Sequence, residues 1–533
     1  MNGNAIQELV EAISADPRLL DRLSKGVGDL LQKDAFTQGV NGQQVVWYNL
    51  NPTIMFLYPY LEQVPLIAGN AERGIAPIAR VQSKGGAAAH WKTITSIDPD
   101  SVAGGVGRGQ RAGAMRMNSN DLFSPFYGMG VEVPVDFETR YEAGQLTPEP
   151  LAIASQSGLR ALMIKQEKMV IGGNSSLALG ISPTPTVTDG ASSGGTMSQG
   201  GGTLSVICVA LTNDGYLRAV PNNPVTSATV VPGRIVRQNL DGSSIAFGGG
   251  SAQPSANATL SLTASHTALA SVAPVSGAVA YAWFWGGVGT ETLGAITTIA
   301  GIELKANPTG VQLASSLTAD NSKDGLIPDG LITQMTGSTF GAVSNSYVKY
   351  TGNGVGAGGG AGTIGGGNGL TGDNAGGIVE FDALFKDRWE NFRLGFKGGY
   401  ILMNSQEIAN ITKKILQQAA GSTSLFRTSL EYNAQNIVVG RRITAYHNKY
   451  TNEDVSIEVH PWVPAGTVMF ASSRVPYPMA NVTNLLEFEE RQGFYQIDWP
   501  LSTRQYQSGF YWDGAFKNHF TPAFGMISNL GNN

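Results

Sequence analysis

An α+β fold carrying an inserted all-β module is predicted by three observations. One long stretch is unambiguously helical, a Ser/Thr/Val/Ala-rich region reads as alternating strands, and mixed helix and strand texture returns after a glycine-dense segment. The chain has 533 residues, of which 14% are charged against a usual ~25%, and 69 are glycines against a usual ~7%. A chain so poor in solvating charge and so rich in turns suits a protein whose surface is largely covered by neighbours.

The helix lies in Leu146–Gly180. Thr147 is placed as N-cap, Pro148 at the first helical position and Glu149 where the helix dipole favours a negative charge. Leu151, Ala154, Leu159, Leu162, Met163, Gln166, Met169 and Val170 fall near one stripe, and Gly172-Gly173 is a stop. About 24 residues at ~1.5 Å each make a rod of roughly 36 Å, enough to cross a domain.

Before the helix the chain reads as arm and hairpin. Residues 1–35 carry an amphipathic pattern broken at Asp16-Pro17, readable as a helical pair packed on its own chain or as an arm docking on a neighbour. Residues 43–68 are apolar, with Trp47, Tyr48, Phe56, Tyr58 and Tyr60 among prolines that deny a helix, so these rings must be buried against something else. Residues 79–135 are organised as a long hairpin. Its strand-like ends, residues 87–95 and 127–135, flank a glycine-rich tip bearing Arg108, Arg111 and Arg116. These arginines fit either a solvated loop or pairing with acidic groups of a neighbour.

After the helix, period-two alternation over 183–306 with turn signals predicts an immunoglobulin-like or fibronectin-like β-sandwich inserted into its host and dispensable for it. Tyr281, Trp283 and Trp285 alternate on one strand face and are expected in its core. Cys208 reads as a buried strand residue, and Asn213-Asp-Gly and Asp241-Gly as hairpin turns. Residues 351–377 are a glycine-dense linker; Gly354, Gly356 and Gly359 match GxGxxG, but no helix follows to bind a pyrophosphate. From residue 378 on, helices over 378–389 and 404–416, the latter capped by Asn404 or Ser405, alternate with strands at 400–403, 437–440, 455–459 and 466–471.

The run Glu167-Lys-Met-Val-Ile-Gly-Gly-Asn followed by Leu179-Gly-Ile resembles the end of the spine helix in major capsid proteins of tailed bacteriophages. Tyr400-Ile-Leu-Met-Asn-Ser and the late Val-Pro-Ala-Gly-Thr-Val-Met-Phe resemble their axial domain. The resemblance implies an N-terminal arm (1–78), an extended hairpin loop lying on the adjacent subunit (79–135), the spine helix and start of a peripheral domain (136–182), the inserted immunoglobulin-like sandwich (183–306), a glycine-rich return (307–377), an axial domain (378–480) and closing C-terminal strands (481–533). It further implies hexamers and pentamers of an icosahedral head around double-stranded DNA, made in the host cytoplasm. The expected partners are other copies, portal, scaffolding and decoration proteins, and DNA by non-specific contact.

Candidate chemistry is sparse. Net charge −5 argues against a dedicated nucleic-acid binder, and one cysteine gives neither a disulfide framework nor a CxxC metal site. No apolar run reaches the ~18 residues of a membrane helix, and the N-terminus lacks a basic-then-apolar signal pattern, so a soluble protein is expected. Glu487 and Glu489 share a strand face. They fit an intersubunit salt bridge or, in the alternative reading as a surface carbohydrate-active protein, a pair of catalytic acids. His447 and His460 stand among acids, but their spacing matches no zinc pattern. Some relatives cross-link a hairpin lysine to a neighbour's asparagine; Lys84 and Lys92 lie in that region without an evident acceptor, so this activity is not carried over. No enzyme activity, cofactor or metal is expected.

Overall fold

The computed structural model describes residues 64–69, 75–102, 104–142, 149–219, 225–238, 242–336, 339–340, 343–344, 347–350, 379–418, 443–475, 477, 479–500 and 504–530. The chain divides into a large unit of residues 58–137 and 151–533 and a small one of 1–57 and 138–150. The expected arm residues Trp47, Tyr48, Phe56, Tyr58 and Tyr60, the cap at Thr147, the linker with its GxGxxG and the strand at 437–440 lie outside the described residues.

The large unit opens with a one-turn helix, α1 (Pro65–Ala68), and strand β1 (Ala79–Gln82). Strand β2 (Ala88–Asp98) pairs antiparallel with β3 (Arg116–Pro125), not with residues 127–135 as the sequence suggests. Those residues form β4 (Tyr127–Asp136), which leaves the hairpin one residue after Pro125 and joins another sheet. Proline lacks a backbone donor and cannot continue a ladder, so Pro125 ends the ribbon; Pro134 is tolerated because β4 is an edge strand. A short helix, α2 (Phe137–Glu142), lies mostly in the small unit.

The long helix α3 (Pro150–Gly172) ends at the paired glycines, as expected. Leu162, Gln166, Glu167, Met169, Val170 and Ile171 are buried, whereas Leu159, placed on the inward stripe by spacing, is exposed. A Cβ at Gly158 would sit 2.5 Å from Phe510 Cδ2, so glycine lets the helix lie directly on the neighbouring sheet.

The region after α3 contains β5 (Thr186–Ser193), β6 (Thr203–Leu211), helix α4 (Asn213–Ala219), β7 (Arg234–Gln238), β8 (Ser244–Gly248), β9 (Ala258–Ser261), β10 (His266–Ser271), β11 (Ala280–Gly286), β12 (Thr292–Thr297) and β13 (Gly301–Leu304). Asn213-Asp-Gly is thus the start of a helix rather than a hairpin turn, while Gly242 turns the β7–β8 hairpin at φ +82. Sheets β13-β10-β5 and β12-β11-β6-β9 enclose a shared core. Trp283 and Tyr281 fill it as the sequence predicts; Trp283 Nε1 donates to Thr297 Oγ1 at 2.8 Å, and Tyr281 Oη accepts from Val275 N at 2.9 Å. Cys208 is buried there too, which pushes its thiol pKa up.

Two expectations for this region are corrected. An immunoglobulin sandwich keeps its first, second, fourth and fifth strands in one sheet. Here the first, fourth and seventh strands share a sheet, so the sandwich has a different strand order. Nor is it a self-contained insertion. Val209, Leu211, Ala280, Ala282 and Phe284 point away from the inter-sheet core into the main core, with Met169, Val170, Leu331 and Phe470. Every residue of β11 is buried because its sheet is a middle layer.

The remaining elements are α5 (Leu331–Met335), the short β14 (Thr339–Phe340) and β15 (Val343–Ser344), β16 (Tyr347–Tyr350), α6 (Val379–Phe392), β17 (Tyr400–Met403), α7 (Ser405–Gln418), β18 (Ala445–Asn448), β19 (Glu453–Val459), β20 (Val468–Ala471), β21 (Leu486–Asp498), β22 (Gln505–Asn518) and β23 (Phe524–Ser528). Asn404 caps α7, its Oδ1 accepting from Gln406 N at 3.1 Å. Six strands form the sheet β16-β23-β20-β17-β19-β18, on which α6 lays Phe381 edge-on to Phe470 at 5.0 Å. The long β21–β22 hairpin is flanked by β1 and β4 in a four-stranded sheet.

Candidate assembly surface

The β2–β3 ribbon pairs with no third strand among the described residues. A lone two-stranded ribbon is marginal in water, and this one does not hide its apolar residues. Ile94, Ile97, Met117 and Phe123 are 59%, 56%, 62% and 66% exposed. Phe123 stands opposite His90, its ring stacked on the imidazole at 5.7 Å, and Met117 stands opposite Ile97. Moving one such side chain from water to an apolar surface is worth ~1.5–3 kcal/mol, which the solitary chain forgoes. The predicted tip residues Arg108, Arg111 and Arg116 are all exposed, with no ion-pair partner among the described residues. Sequence reasoning picked out these arginines and missed the four apolar residues. The signal that could have found them is the set of large apolar side chains interleaved with polar ones along residues 88–125.

The ribbon's root is packed against the body of the large unit. Ser124 Oγ donates to Phe516 O at 2.9 Å, and the Trp91 ring meets the His519 ring edge-on at 5.6 Å with Lys517 Nζ 5.3 Å from its centroid. Glu487 and Glu489 lie behind that root. Glu487 Oε2 is 2.9 Å from His519 Nε2, and Glu489 Oε2 accepts from Lys517 Nζ at 3.0 Å. Both acids therefore have a lysine or imidazole partner on their own chain. Glu490 is likewise engaged, by Arg80 and by Trp512 Nε1 at 2.6 Å.

A second built feature ties the start of the large unit to the spine helix. The Glu167 side chain is fully buried and accepts three hydrogen bonds, two at Oε1 from Leu66 N (3.0 Å) and His460 Nε2 (2.7 Å), and one at Oε2 from Ile67 N (3.0 Å). Trp462 N donates to His460 Nδ1 at 3.2 Å, so the imidazole proton sits on Nε2, facing the carboxylate. A buried carboxylate is tolerable only when its lone pairs are filled, and here the donors of the first turn of α1 fill them. One position earlier, Gln166 Oε1 accepts from Arg80 Nη2 at 3.0 Å, and the Arg80 guanidinium lies 4.5 Å from the Phe494 ring centroid. The two residues pin α1 and β1 to the end of α3. His460 is thereby taken up in a structural contact, and His447 pairs separately with Asp454 at 2.7 Å. No His/Cys/Asp/Glu cluster with metal-binding geometry occurs among the described residues, and no described helix is long and apolar enough to cross a membrane.

No family model matches the chain, and no curated protein matches it. Solved structures similar to it over most of its length are capsids. A structure described as "Capsid of native GTA particle computed with C5 symmetry" matches at 7% identity and TM-score 0.40, over 93% of this chain and 100% of that one. "The capsid of Myoviridae Phage XM1" matches at 10% identity and TM-score 0.36, over 86% and 91%. "Satellite phage P4 procapsid including size determination (Sid) protein" matches at 8% identity and TM-score 0.33, over 96% and 98%.

Proposed function

We propose that the chain is a major capsid protein, a structural subunit that assembles into hexamers and pentamers of an icosahedral phage head around double-stranded DNA. The observation that carries this reading is the β2–β3 ribbon, whose exposed Ile94, Ile97, Met117 and Phe123 find no cover among the described residues. A neighbouring copy lies under the ribbon, and Arg108, Arg111 and Arg116 at its tip meet acidic groups there. The arm residues Trp47, Tyr48, Phe56, Tyr58 and Tyr60 dock on other copies. In this reading the sheet β13-β10-β5, the sandwich layer away from the main core, faces outward. Portal, scaffolding and decoration proteins are the remaining partners, and DNA is touched without sequence preference.

The test is negative-stain microscopy and sedimentation of the full chain beside a variant with Phe123→Ser and Ile94→Ser. The wild type is expected to form capsomers or shells. The variant is expected to keep the wild-type circular dichroism and lose assembly, since neither side chain packs in the core. A wild-type chain that stays monomeric at high concentration, or a variant that assembles normally, refutes the reading.

A further inference from the structure

A cavity of about 250 Å³ opens beside the last turns of α3, where β4, β8, α4 and the loop at 324–327 converge. Met129, Met169, Phe247, Leu326 and Ile327 make its walls apolar, and its charged lining is Lys165, Lys168 and Arg218 against Asp214 and Asp324. One positive charge is left over. Both acids are engaged within the wall. Arg218 Nη2 pairs with Asp214 at 2.9 Å and lies 3.8 Å from Asp324, which also accepts from Gly248 N and Leu326 N, each at 2.9 Å. The lysines are not so engaged. Lys165 Nζ reaches Gly130 O at 3.4 Å, and half-buried Lys168 has no hydrogen-bond or ion-pair partner among the described residues. Lys168 Nζ lies 4.2 Å from the Trp462 ring centroid, a face that attracts the charge without supplying a lone pair. Burial lowers the Lys168 pKa, with Asp214 opposing and Arg218 adding to the fall, so these two wall residues are near enough to act on the ammonium.

A half-buried ammonium is costly until its donors are filled. Lys165 and Lys168 are three residues apart on one helix face, so a single group can accept from both. The surplus of one charge selects a monoanion. A dianionic phosphate would exceed it and repel Asp214 and Asp324, and a neutral hydroxyl would leave it unanswered. The methionine, phenylalanine, leucine and isoleucine walls call for an apolar stem behind that head. The volume is at the small end for a ligand site, with room for one short chain rather than a cofactor.

We propose that this cavity binds a carboxylate carried on a short aliphatic chain, its head between Lys165 and Lys168 and its chain against Met129, Phe247 and Ile327, a site that stands independently of the assembly proposed above. Bound there, the ligand joins the end of α3 to β4 and to the β7–β8 hairpin. That hairpin pairs with no third strand among the described residues, and its Ile235 and Val236 are exposed, so an added apolar contact at Phe247 helps to hold it.

Isothermal titration calorimetry of the full chain with octanoate, at concentrations below those at which it forms micelles, tests this. Acetate, which has the head without the stem, and octylammonium, which has the stem with the opposite charge, are titrated beside it. Octanoate is expected to bind the wild type saturably at one site, and the other two to give no saturable heat. Lys168→Met keeps the side-chain stem and removes the charge, and is expected to weaken octanoate about 10- to 100-fold, the scale of a charge-assisted hydrogen bond. Lys165→Met changes an exposed side chain, so it leaves the fold intact and is expected to weaken binding about threefold, the scale of a solvent-exposed ion pair. No octanoate binding by the wild type overturns the assignment. So does unchanged affinity in both variants, or equal binding of acetate or octylammonium, which would mark a bare anion spot or a merely greasy one.

Discussion

Replacing Glu167 by glutamine keeps the side-chain volume and changes only charge and donor count, so it isolates what the buried carboxylate does. The glutamine carbonyl can keep the bonds from Leu66 N and His460 Nε2, but its NH2 must then face the Ile67 N–H, donor against donor. Each buried donor left unsatisfied costs ~1–3 kcal/mol, and the two surviving bonds weaken because their acceptor is no longer charged. Against this stands the relief of desolvating a carboxylate, which leaves a net loss of about 2–4 kcal/mol. The loss is local, since it frees the first turn of α1 before it unfolds the core. Amide hydrogen exchange followed by mass spectrometry on peptides spanning 64–69 is the assay, with peptides from β11 as the control. Exchange in the α1 peptide is expected to accelerate about 30- to 700-fold at ~1.4 kcal/mol per decade, with β11 much less affected. Exchange in α1 within twofold of wild type would refute the assignment of Glu167 as the anchor of that segment.

Other outcomes follow from the same contacts. Deleting residues 186–306 with a short Gly/Ser bridge is expected to abolish soluble protein, because it strips Val209, Leu211, Ala282 and Phe284 from the main core; soluble particles of normal diameter would restore the self-contained insertion. Gly158→Ala should destabilise by about 1–3 kcal/mol in urea unfolding, although helix propensity alone predicts a gain of ~1, since the new methyl collides with Phe510; a more stable variant would contradict the packing. Burial holds the Asp214 carboxyl above its usual range, with the like charge of Asp324 adding to the rise and Arg218 opposing it. A carboxyl raised on folding contributes stability that is present below the ordinary carboxylate pKa of ~4 and is lost as pH rises through the folded value. The melting temperature of the wild type minus that of Asp214→Asn should therefore become more positive on acidification from neutrality toward pH 4, and the opposite slope would refute it.

Much of this was legible from short-range pattern. The end of α3 at Gly172, the inward Tyr281, Trp283 and Trp285, the buried Cys208 and the Asn404 cap are all fixed by neighbours within a few residues, where periodicity and capping speak directly. The pairing of β2 with β3 instead of β4 turns on Pro125, and the loss of the Asn213 turn to a helix turns on tertiary packing of that segment. Burial of both faces of β11 was hidden because its outer face joins a core that also holds residues as distant in sequence as Met169 and Phe470. Glu167 stood out by its place near the helix end, yet its partners lie about 100 and 293 positions away, beyond what spacing along a chain can show. The partners of Glu489 and Glu487, Lys517 on the next strand and His519 just beyond it, lie 28 and 32 positions away and were likewise out of reach of local pattern.

The central claim is that the ribbon's apolar residues are covered by another copy. Hydroxyl-radical footprinting of Met115, Met117 and Phe123, compared between dissociated subunits and assembled material, measures this most directly. The account predicts strong labelling of all three in subunits and protection of Met117 and Phe123 by at least about tenfold on assembly, the scale of ~1.4 kcal/mol. Equal labelling in both states would show the ribbon lying open in the particle and would contradict the account.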